Sequence, residues 1–382
     1  MAQPVRIGLL GYGTVGQAFV TLLKQQTALP AEVEIALVTD LGRPREGPPI
    51  PLTTDAREVV ANPRVDLVVD VMGGRYPAYQ WVREAILNGK SVVTANKEVM
   101  AYHGSELLQL AFERGVHLRY EASVGGGIPL IEPLLSHFRW GPIDAVIGVL
   151  NGTTNFILSA MEKGEPYEQA LAMAQAKGYA EADPSADVLG YDAVRKLTLI
   201  IRMVFHFEVS PDAIPCRGID QVTVDDIVRV AHWGYRIKLI ARAYRGGRAM
   251  VWPTLVPANH RLAFLEDNQN SLCLYLWSQE YWLEGPGAGG PATALSVLSD
   301  VYRVIVQRDL GPRETVLPVR ELQPMAPEWI LFPVDPDRVV VPTAFPEFGL
   351  WNGQYFRTEP TPIGQVEQWL AEREGFKAYP LL

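Results

Sequence analysis

The chain has 382 residues, and its content of 48% hydrophobic and 20% charged residues is typical of a folded protein of about two domains, not of a disordered or fibrous one. Its formal net charge of −9 argues against a general nucleic-acid-binding protein, which normally carries a basic surface. The two cysteines, Cys216 and Cys273, form neither a disulfide framework nor a zinc-ligand spacing, so we expect a cytoplasmic protein.

The first predicted element is a strand, VRIGLL from Val5, with no basic-then-apolar leader before it. No apolar run in the sequence approaches the ~20 residues of a membrane span. We therefore expect no membrane partner.

A glycine-rich turn, GYGTVG, follows this strand and leads into an apolar stripe at helical spacing. Gly11, Gly13 and Gly16 give the spacing G-x-G-x-x-G in the strand–turn–helix context that the dinucleotide fingerprint requires. The first two glycines let backbone N–H groups approach a pyrophosphate, and the third lets helix and strand pack closely. The residues expected to bind the cofactor here are Gly11, Tyr12, Gly13, Thr14, Val15 and Gly16.

Further apolar runs alternate with helical patterns and predict a parallel sheet. The runs are VEIALV (33–38), VDLVVDVM (65–72) and KSVVTA (90–95). Continuous apolar strands alternating with helices are typical of a doubly wound α/β fold of the Rossmann type. The proline-rich GRPREGPPIP (42–51) predicts a surface loop after the first of these runs.

The identity of the dinucleotide is open at this stage, because the strand before that loop ends at Thr39-Asp40 and is followed by Arg43 and Arg45. Asp40 would accept hydrogen bonds from the ribose hydroxyls and favour NAD. Either arginine would pair with a 2′-phosphate and favour NADP. The cofactor is therefore NAD or NADP.

The pattern changes after residue 130 and indicates a second, mixed α+β domain for catalysis and dimerisation. DAVIGVLNGTTNFILSAM predicts strand, turn and helix, and GPGAGG leads into a later helix. Further strands are predicted near 217–222, 236–244, 250–256 and 273–284. The predicted domains are a Rossmann domain at 1–130 plus about 287–310, a substrate-binding and dimerisation domain at 131–286, and a C-terminal extension of unknown role at 311–382.

The stretch GYAEADPSADVLGYDAVRKL crowds four acidic residues ahead of an apolar segment. On a helix, Asp192 and Lys196 lie on one face, and Leu199 and Met203 continue the same stripe. A half-buried pair of this kind can incur a desolvation penalty of several kcal/mol, whereas an ordinary surface pair would not. The residues alone leave a functional and a structural interpretation equally open. The other side of the helix, expected to face water, carries Arg195, Thr198 and Arg202.

Seven segments, in order from residue 7 to about 305, carry a family resemblance: GLLGYGTVG, GKSVVTANKEVMA, YEASVGGGIPLIEPL, NGTTNFIL, AKGYAEADPSADVLGYDAVRKL, DIVRVAHWGYRIKLIA and GPGAGGPATALSVLSD. Through them the chain resembles homoserine dehydrogenase. The resemblance implies NAD(P)-linked interconversion of L-aspartate 4-semialdehyde and L-homoserine, which serves threonine, methionine and isoleucine biosynthesis. It also implies a homodimer.

The resemblance further implies the roles of individual residues. Glu181 and Asp192 would receive the ammonium group of the substrate. Lys196 would give a proton to the oxygen as hydride reaches the aldehyde carbon, or take it back in the reverse direction. Lys97 would lie at the substrate and the cofactor. A cation or acid near that oxygen lowers the barrier, because hydride transfer builds alkoxide charge. The other positions implied to contact the substrate are Gly152, Thr153, Tyr179 and Asp187.

Two further segments match family sites. EASVGGGI resembles a monovalent cation site, in which hard sodium or potassium ions would bind oxygen atoms and glycines would let carbonyl groups turn inward. The residues implied for this site are Glu121, Val124, Gly126 and Ile128. GPGAGG resembles the segment that returns the chain to the nucleotide domain, where Gly289 would meet the cofactor.

Past about residue 310 the sequence shows no alternating strand and helix pattern of the kind that an ACT domain has in longer family members. We therefore do not expect threonine feedback through such a domain. No aspartokinase portion precedes the dehydrogenase segments in the sequence, so we expect a monofunctional enzyme. A phosphorylating semialdehyde dehydrogenase is a competing hypothesis, but it needs a nucleophilic cysteine beside a base. A dinucleotide sensor without turnover is another, and the presence of Lys97, Glu181, Asp192 and Lys196 argues against it.

Overall fold

The computed structural model describes residues 4–139, 141–287, 289–306, 317–334, 349–351, 355–372 and 376–382. Within it the chain divides into two compact units. The first unit comprises Met1–Ile143, Arg195–Pro211 and Leu283–Arg320, and the second comprises Asp144–Val194, Asp212–Trp282 and Glu321–Leu382. The domain boundaries at 130, 286 and 310 stay predictions.

The first unit is built on six parallel strands. Its elements up to residue 136 are β1 (Val5–Leu10), α1 (Thr14–Gln25), β2 (Ala31–Leu37), β3 (Leu52–Thr53), α2 (Arg57–Val60), β4 (Leu67–Asp70), α3 (Ala78–Leu87), β5 (Ser91–Thr94), α4 (Lys97–Arg114), β6 (Leu118–Arg119) and α5 (Ile131–Ser136). The sheet order is β3-β2-β1-β4-β5-β6, and every pair is parallel. This is the order of the dinucleotide-binding Rossmann fold, so the predicted fold class is confirmed.

The second unit contains an antiparallel sheet and its helices. The elements of this part of the chain are β7 (Ile143–Val149), α6 (Gly152–Glu162), α7 (Tyr167–Ala176), α8 (Ser185–Val188), α9 (Tyr191–Phe205), α10 (Val224–His232), β8 (Tyr235–Tyr244), β9 (Arg248–Pro257), β10 (Gln269–Leu276) and β11 (Gln279–Pro286). The division between the units falls within α9, whose residues from Arg195 belong to the first unit, and within β11, whose residues from Leu283 do so. The sheet order is β11-β10-β7-β8-β9, and β8 pairs antiparallel with both β7 and β9. The predicted mixed α+β second domain is confirmed.

Two predicted strands of this sheet differ from the structure. The strand predicted at 217–222 is absent from the described structure, where the nearest pairing is a single bridge from Cys216 to Val251. The strand predicted at 273–284 is a hairpin, because the chain turns at Trp277, whose φ of 53° lies in the left-handed region.

The helix α11 (Gly290–Val306) belongs to the first unit and packs beside α1. Ala294, Val297 and Val301 are fully buried in the same hydrophobic core as Phe19. The apolar residues of α11 therefore complete the core on one face of the parallel sheet.

The C-terminal segment adds β12 (Trp329–Pro333), β13 (Gly349–Trp351), β14 (Phe356–Thr358), α12 (Ile363–Ala371) and β15 (Phe376–Pro380). The strands form an antiparallel sheet of order β13-β14-β12-β15, which is the strand order of ferredoxin-like β-α-β-β-α-β units. In the described residues the order is three strands, one helix and one strand, so the expected lack of an alternating strand and helix pattern stays a prediction. The strands are short and rich in proline and aromatic residues, so their period was not visible. None of the helices described above combines the length and hydropathy that a bilayer crossing needs.

Candidate active site

The glycine loop between β1 and α1 has the geometry that the fingerprint predicts. Gly11 has a φ of +106°, and a Cβ there would lie 3.1 Å from the Val71 carbonyl oxygen. A Cβ on Gly16 would lie 2.6 Å from the Gly11 carbonyl oxygen, so this glycine allows the close helix–strand contact. A Cβ on Gly13 would meet nothing within 4 Å. The loop is therefore open at Gly13, immediately before the N-terminus of α1 at Thr14, where a pyrophosphate would bind.

The Tyr12 side chain makes its contacts within the protein. Its hydroxyl donates to the Pro48 carbonyl oxygen, and burial raises the pKa of the phenol. The neighbouring Gln17 Oε1 accepts a hydrogen bond of 2.6 Å from the Gly47 backbone N–H. These hydrogen bonds connect the proline-rich loop to the glycine loop. Because the Tyr12 hydroxyl is used in this way, a contact of Tyr12 with the cofactor would be made by its backbone. Val15 packs against the core of the first unit.

The loop after β2 holds the residues that were expected to select the dinucleotide. Arg45 donates to the carbonyl oxygens of Arg43 (2.8 Å) and Asp40 (2.7 Å). The Asp40 carboxylate accepts the Gly42 N–H through Oδ1 at 2.8 Å, and both Asp40 and Arg43 are exposed. The Arg45 guanidinium therefore closes the loop. Asp40 lies three residues beyond the end of β2 at Leu37, so the strand ends earlier than the predicted Thr39-Asp40.

The GPGAGG segment returns to the glycine loop as predicted. Gly289 has a φ of +132°, and α11 begins at the next residue. A Cβ on Gly290 would lie 2.7 Å from the Thr14 Cγ2. The start of α11 therefore approaches the start of α1 closely, and the predicted cofactor residue Gly289 lies next to this contact.

Lys97 is the first residue of α4 and is half-buried. The preceding Asn96 caps the helix by accepting the Val99 N–H at 3.1 Å, and its Nδ2 donates to the carbonyl oxygens of Met72 (3.2 Å) and Gly74 (2.7 Å). Asn96 thus ties the chain after β5 to the chain after β4. Lys97 is held at the carboxyl edge of the parallel sheet, where ligands of this fold bind.

In the second unit, Asn151 brings together two predicted substrate residues. It lies between β7 and α6 and is 2% exposed. Its Nδ2 donates to Asp187 Oδ1 at 2.7 Å and to Asp192 Oδ2 at 2.9 Å. Its Oδ1 accepts the Thr154 N–H at 2.8 Å and so caps α6. The two carboxylates therefore converge on one amide nitrogen.

The remaining predicted substrate residues of this unit lie on α6 and the segment after α7. Thr153 is buried, and its hydroxyl donates to the Tyr179 carbonyl oxygen at 2.6 Å. A Cβ on Gly152 would lie 2.7 Å from the Asn268 carbonyl oxygen, which explains the need for glycine at the start of α6. Glu181 is exposed. These contacts fix the α6 terminus beside the acidic segment.

The helix α9 carries Asp192 and Lys196 one turn apart, and they are only 2% and 7% exposed. The predicted apolar stripe is therefore deeply buried. The prediction that Thr198 and Arg202 face water was wrong, because both are also buried. Arg202 instead forms an ion pair of 2.6 Å with Glu208 and donates to the Met100 carbonyl oxygen. Arg195, at 17% side-chain exposure, pairs with Glu98 at 2.7 Å.

The predicted cation segment runs from Glu121 to α5, and the Glu121 carboxylate caps that helix. It accepts three backbone N–H groups, from Leu130 (2.6 Å) and Ile131 (2.8 Å) on Oε1 and from Glu132 (2.8 Å) on Oε2. Burial raises the pKa of this carboxyl, and the three hydrogen bonds with the nearby Arg303 pull it back. The carboxylate is therefore engaged by the protein.

The backbone of the same segment offers oxygen atoms. Gly125 and Gly126 have φ values of +67° and +62°, a conformation that turns their carbonyl groups away from a regular strand or helix direction. The Gly126 carbonyl oxygen accepts the Ser296 hydroxyl at 2.7 Å. Within the described part of the chain no cluster of three acidic, cysteine or histidine side chains could hold a metal. A cation at the predicted residues would thus depend on the carbonyl oxygens of Glu121, Val124, Gly126 and Ile128.

Comparison with known proteins agrees with this geometry. A homoserine dehydrogenase family model matches residues 129–302, and a model described as the homoserine dehydrogenase NAD-binding domain matches residues 11–121. The homoserine dehydrogenase of Bacillus subtilis is 40% identical over 323 residues, which are 81% of this chain and 75% of that protein. The chain belongs to the homoserine dehydrogenase family. A relative of the same name from Pseudomonas aeruginosa is 35% identical over 97% of this chain and 86% of its own length.

The fold of a solved homoserine dehydrogenase from Thiobacillus denitrificans also matches, with a TM-score of 0.87 at 30% identity over 100% of this chain and 98% of that one. The comparison extends through the C-terminal segment. Homoserine dehydrogenases are NAD(P)-dependent oxidoreductases, and the chain carries the NAD-binding domain of the family.

Neither cysteine offers the nucleophile that a phosphorylating semialdehyde dehydrogenase needs. Burial raises the pKa of Cys216 to about 12 and that of Cys273 to about 12, so both thiols stay protonated near neutral pH. The Cys216 thiol donates a hydrogen bond to the Leu189 carbonyl oxygen and not to a side chain that could act as a base. The thiols are packed as small hydrophobic side chains.

Asn151 is the residue of the candidate site that the sequence analysis did not identify. Its position before Gly-Thr-Thr is a visible helix N-cap signal. Its contacts with Asp187 and Asp192 join residues 36 and 41 positions away, which no local pattern shows.

Proposed function

We propose that the protein interconverts L-homoserine and L-aspartate 4-semialdehyde. A bound nicotinamide dinucleotide supplies or accepts the hydride at the carbon that bears the oxygen. In the direction of oxidation, the substrate hydroxyl proton passes to Lys196. The observation that carries this proposal is the burial of Asp192 and Lys196, one turn apart on α9, in a chain of this family.

In the direction of reduction, Lys196 donates a proton to the substrate oxygen, because a positioned ammonium group stabilises the negative charge that develops there. Lys97 adds a second cation toward substrate and cofactor from the carboxyl edge of the parallel sheet. Burial of a lysine carries a desolvation penalty, which partners within the protein or the bound substrate must offset.

The substrate ammonium group is received by Asp192 and Glu181. Asp187 lies beside Asp192 through their shared contact with Asn151. Gly152, Thr153 and Tyr179 complete the substrate contacts, and the Thr153 bond to the Tyr179 carbonyl holds these residues together. A carboxylate is the natural partner for an amino acid ammonium group, because the charge-assisted hydrogen bond also orients the substrate.

We infer a preference for NAD over NADP in this chain. Asp40, in the loop just after β2, would accept a hydrogen bond from a ribose hydroxyl and would repel a 2′-phosphate. The Arg45 guanidinium is used by two carbonyl oxygens of its own loop. Ligand titration followed by fluorescence should therefore show tighter binding of NAD. In Asp40→Ser the hydroxyl still accepts the Gly42 N–H, and the preference for NAD should fall about 10-fold. Tighter NADP binding by the wild type would contradict this assignment.

A monovalent cation, sodium or potassium, would bind to backbone carbonyl oxygens in the segment 121–128. The Glu121 carboxylate would orient the segment by capping α5 rather than bind the ion. Such a site suits a hard cation of low charge, because neutral carbonyl oxygens are its ligands.

The homodimer and the cytoplasmic location stay predictions. The edge strand β11 exposes Tyr281, and the adjoining turn exposes Trp277 at 71%. Aromatic side chains exposed at a sheet edge are suited to a symmetric partner. Sedimentation of the purified chain measures the assembly directly.

Steady-state assays with L-homoserine and NAD or NADP test the proposed activity. Lys196→Met and Lys196→Arg should each abolish turnover, because neither side chain exchanges a proton near neutral pH, while dinucleotide binding persists. Lys163→Ala is the matched control, because Lys163 is 64% exposed and pairs with Glu266 on the surface. A wild type that binds the dinucleotide without homoserine-dependent turnover would instead support a sensor.

A further inference from the structure

The amide of Asn151 has all of its hydrogen-bonding capacity engaged. It gives two N–H bonds to Asp187 and Asp192, and its oxygen accepts both the Thr154 N–H and the Thr154 hydroxyl (2.9 Å). The opposite amide orientation would place its oxygen against two carboxylates and its NH2 against the Thr154 N–H. The network therefore fixes which end of the amide faces the acids.

Helix capping alone does not explain asparagine at this position. Serine and aspartate cap helices about as well, because capping needs only a side-chain oxygen. Asparagine adds an NH2 group, which can donate hydrogen bonds while the amide oxygen caps the helix. The chain uses the same property at Asn96, which caps α4 while its Nδ2 reaches two carbonyl oxygens.

Two carboxylates on one nitrogen repel each other, and an N–H donor to each offsets that repulsion. Asp192 is 2% exposed, so a donor within the protein is needed where water does not reach. The contacts also fix where each carboxylate points, since both donors belong to one rigid planar group on a capped helix.

We propose that Asn151 is a positioning residue that orients the Asp192 carboxylate to receive the substrate ammonium group and holds the Asp187 carboxylate beside it as a substrate contact. Asn151 acts through these two acids. This inference rests on the proposed function, because it assumes that Asp192 binds the ammonium group of homoserine.

The test compares variants that keep the cap with one that perturbs it. Asn151→Ser keeps an oxygen for the Thr154 N–H but removes both donors to the acids. Asn151→Asp also keeps the cap and puts a third carboxylate against the other two. Thr154→Val is the structural control, because it removes the hydroxyl bonds to Asn151 and leaves both N–H contacts with the acids.

The readouts are the KM for L-homoserine, kcat, the Kd for the dinucleotide, and activity toward 4-hydroxybutanoate, which is homoserine with its 2-amino group replaced by hydrogen. For Asn151→Ser we expect the KM for homoserine to rise about 10-fold or more, with Tm and dinucleotide Kd near wild type. The preference for homoserine over 4-hydroxybutanoate should fall by a similar factor. Asn151→Asp should lose more, and Thr154→Val should lose stability without this selective change.

The outcomes separate the two proposals. A wild type without homoserine-dependent turnover refutes the proposed function and this inference with it. With an active wild type, an unchanged homoserine KM in Asn151→Ser overturns the inference alone. The same holds if Thr154→Val raises that KM equally, or if Asn151→Ser and Asn151→Asp both unfold while Thr154→Val does not, because the role of Asn151 would then be structural.

Discussion

Replacing Glu121 by glutamine tests whether its carboxylate caps α5 or binds a cation. The glutamine oxygen can still accept the N–H groups of Leu130 and Ile131, which share Oε1 in the wild type. The amide NH2 would then face the N–H of Glu132, which now donates to Oε2 at 2.8 Å. Two donors would face each other, and one buried N–H would lose its acceptor.

Two opposing effects set the size of the change. Burial raises the pKa of Glu121, so the protein environment on balance disfavours the charge, and removing that charge is not in itself destabilising. The unmade hydrogen bond is the larger effect, because a buried unsatisfied donor costs about 1–3 kcal/mol. Glu121→Ala leaves all three donors without this acceptor and should cost about 3–9 kcal/mol, before any cavity effect.

Urea unfolding at pH 7 measures both variants, and the midpoint should fall while the m-value stays constant. Glu132→Gln is the control, because its side chain is 31% exposed and its 3.1 Å pair with Arg303 contributes about 1 kcal/mol or less. The loss in Glu121→Gln should be equal in potassium, sodium and tetramethylammonium chloride. If the variant matches the wild type in tetramethylammonium and differs only with potassium or sodium, the carboxylate is a cation ligand and the capping argument fails.

Three further perturbations follow from buried groups. Burial raises the pKa of Asp70 from 3.8 to about 6 in the folded state, so its protonated form adds stability below about pH 4 that is lost as pH rises through 6. The free energy of unfolding of Asp70→Asn, relative to wild type, should therefore grow by about 2 kcal/mol between pH 4 and 7, and a constant difference across that range would contradict the assignment. Lys377→Met breaks the ion pair with Asp226, which is 4% exposed, and should lower stability by about 2–4 kcal/mol in urea unfolding; a change below 0.5 kcal/mol, on the order of a surface pair, would refute it. Deleting residues 321–382 would expose Trp252, which packs in a hydrophobic core with residues of that segment, and should lower both the Tm and the yield of folded protein. An unchanged Tm would show that the segment does not stabilise the rest of the chain.

Much of the first unit could be predicted because its strands are continuous apolar runs. The run VDLVVD contains β4, whose four residues are all buried, and the glycine spacing predicted the loop before α1. The two-residue β3 has no period of its own and forms only by pairing with β2. The C-terminal sheet was missed for a related reason, since Trp329 pairs with Pro380 far along the chain.

The same distinction, between local sequence pattern and pairing with distant residues, holds for the candidate site. Burial of Asp192 and Lys196 could be predicted, because helical spacing places them on one stripe with Leu199. Burial of Arg202 could not, because it depends on an ion pair with Glu208 beyond the helix and on a carbonyl oxygen of α4. A polar residue on a helix face is exposed or buried according to partners that only the folded chain supplies.

The two asparagine caps show how the fold makes a site rigid with few residues. Asn96 and Asn151 each begin a helix, and each caps it with the amide oxygen. A capped helix terminus is among the more rigid parts of a fold, so the NH2 of the same amide is a donor at a fixed point. At Asn96 this donor joins two backbone segments beside Lys97, and at Asn151 it joins two carboxylates. Serine could cap both helices, but it has no NH2 group to donate to the carbonyl oxygens at Asn96 or to the carboxylates at Asn151. The need for asparagine therefore comes from these second acceptors and not from helix capping.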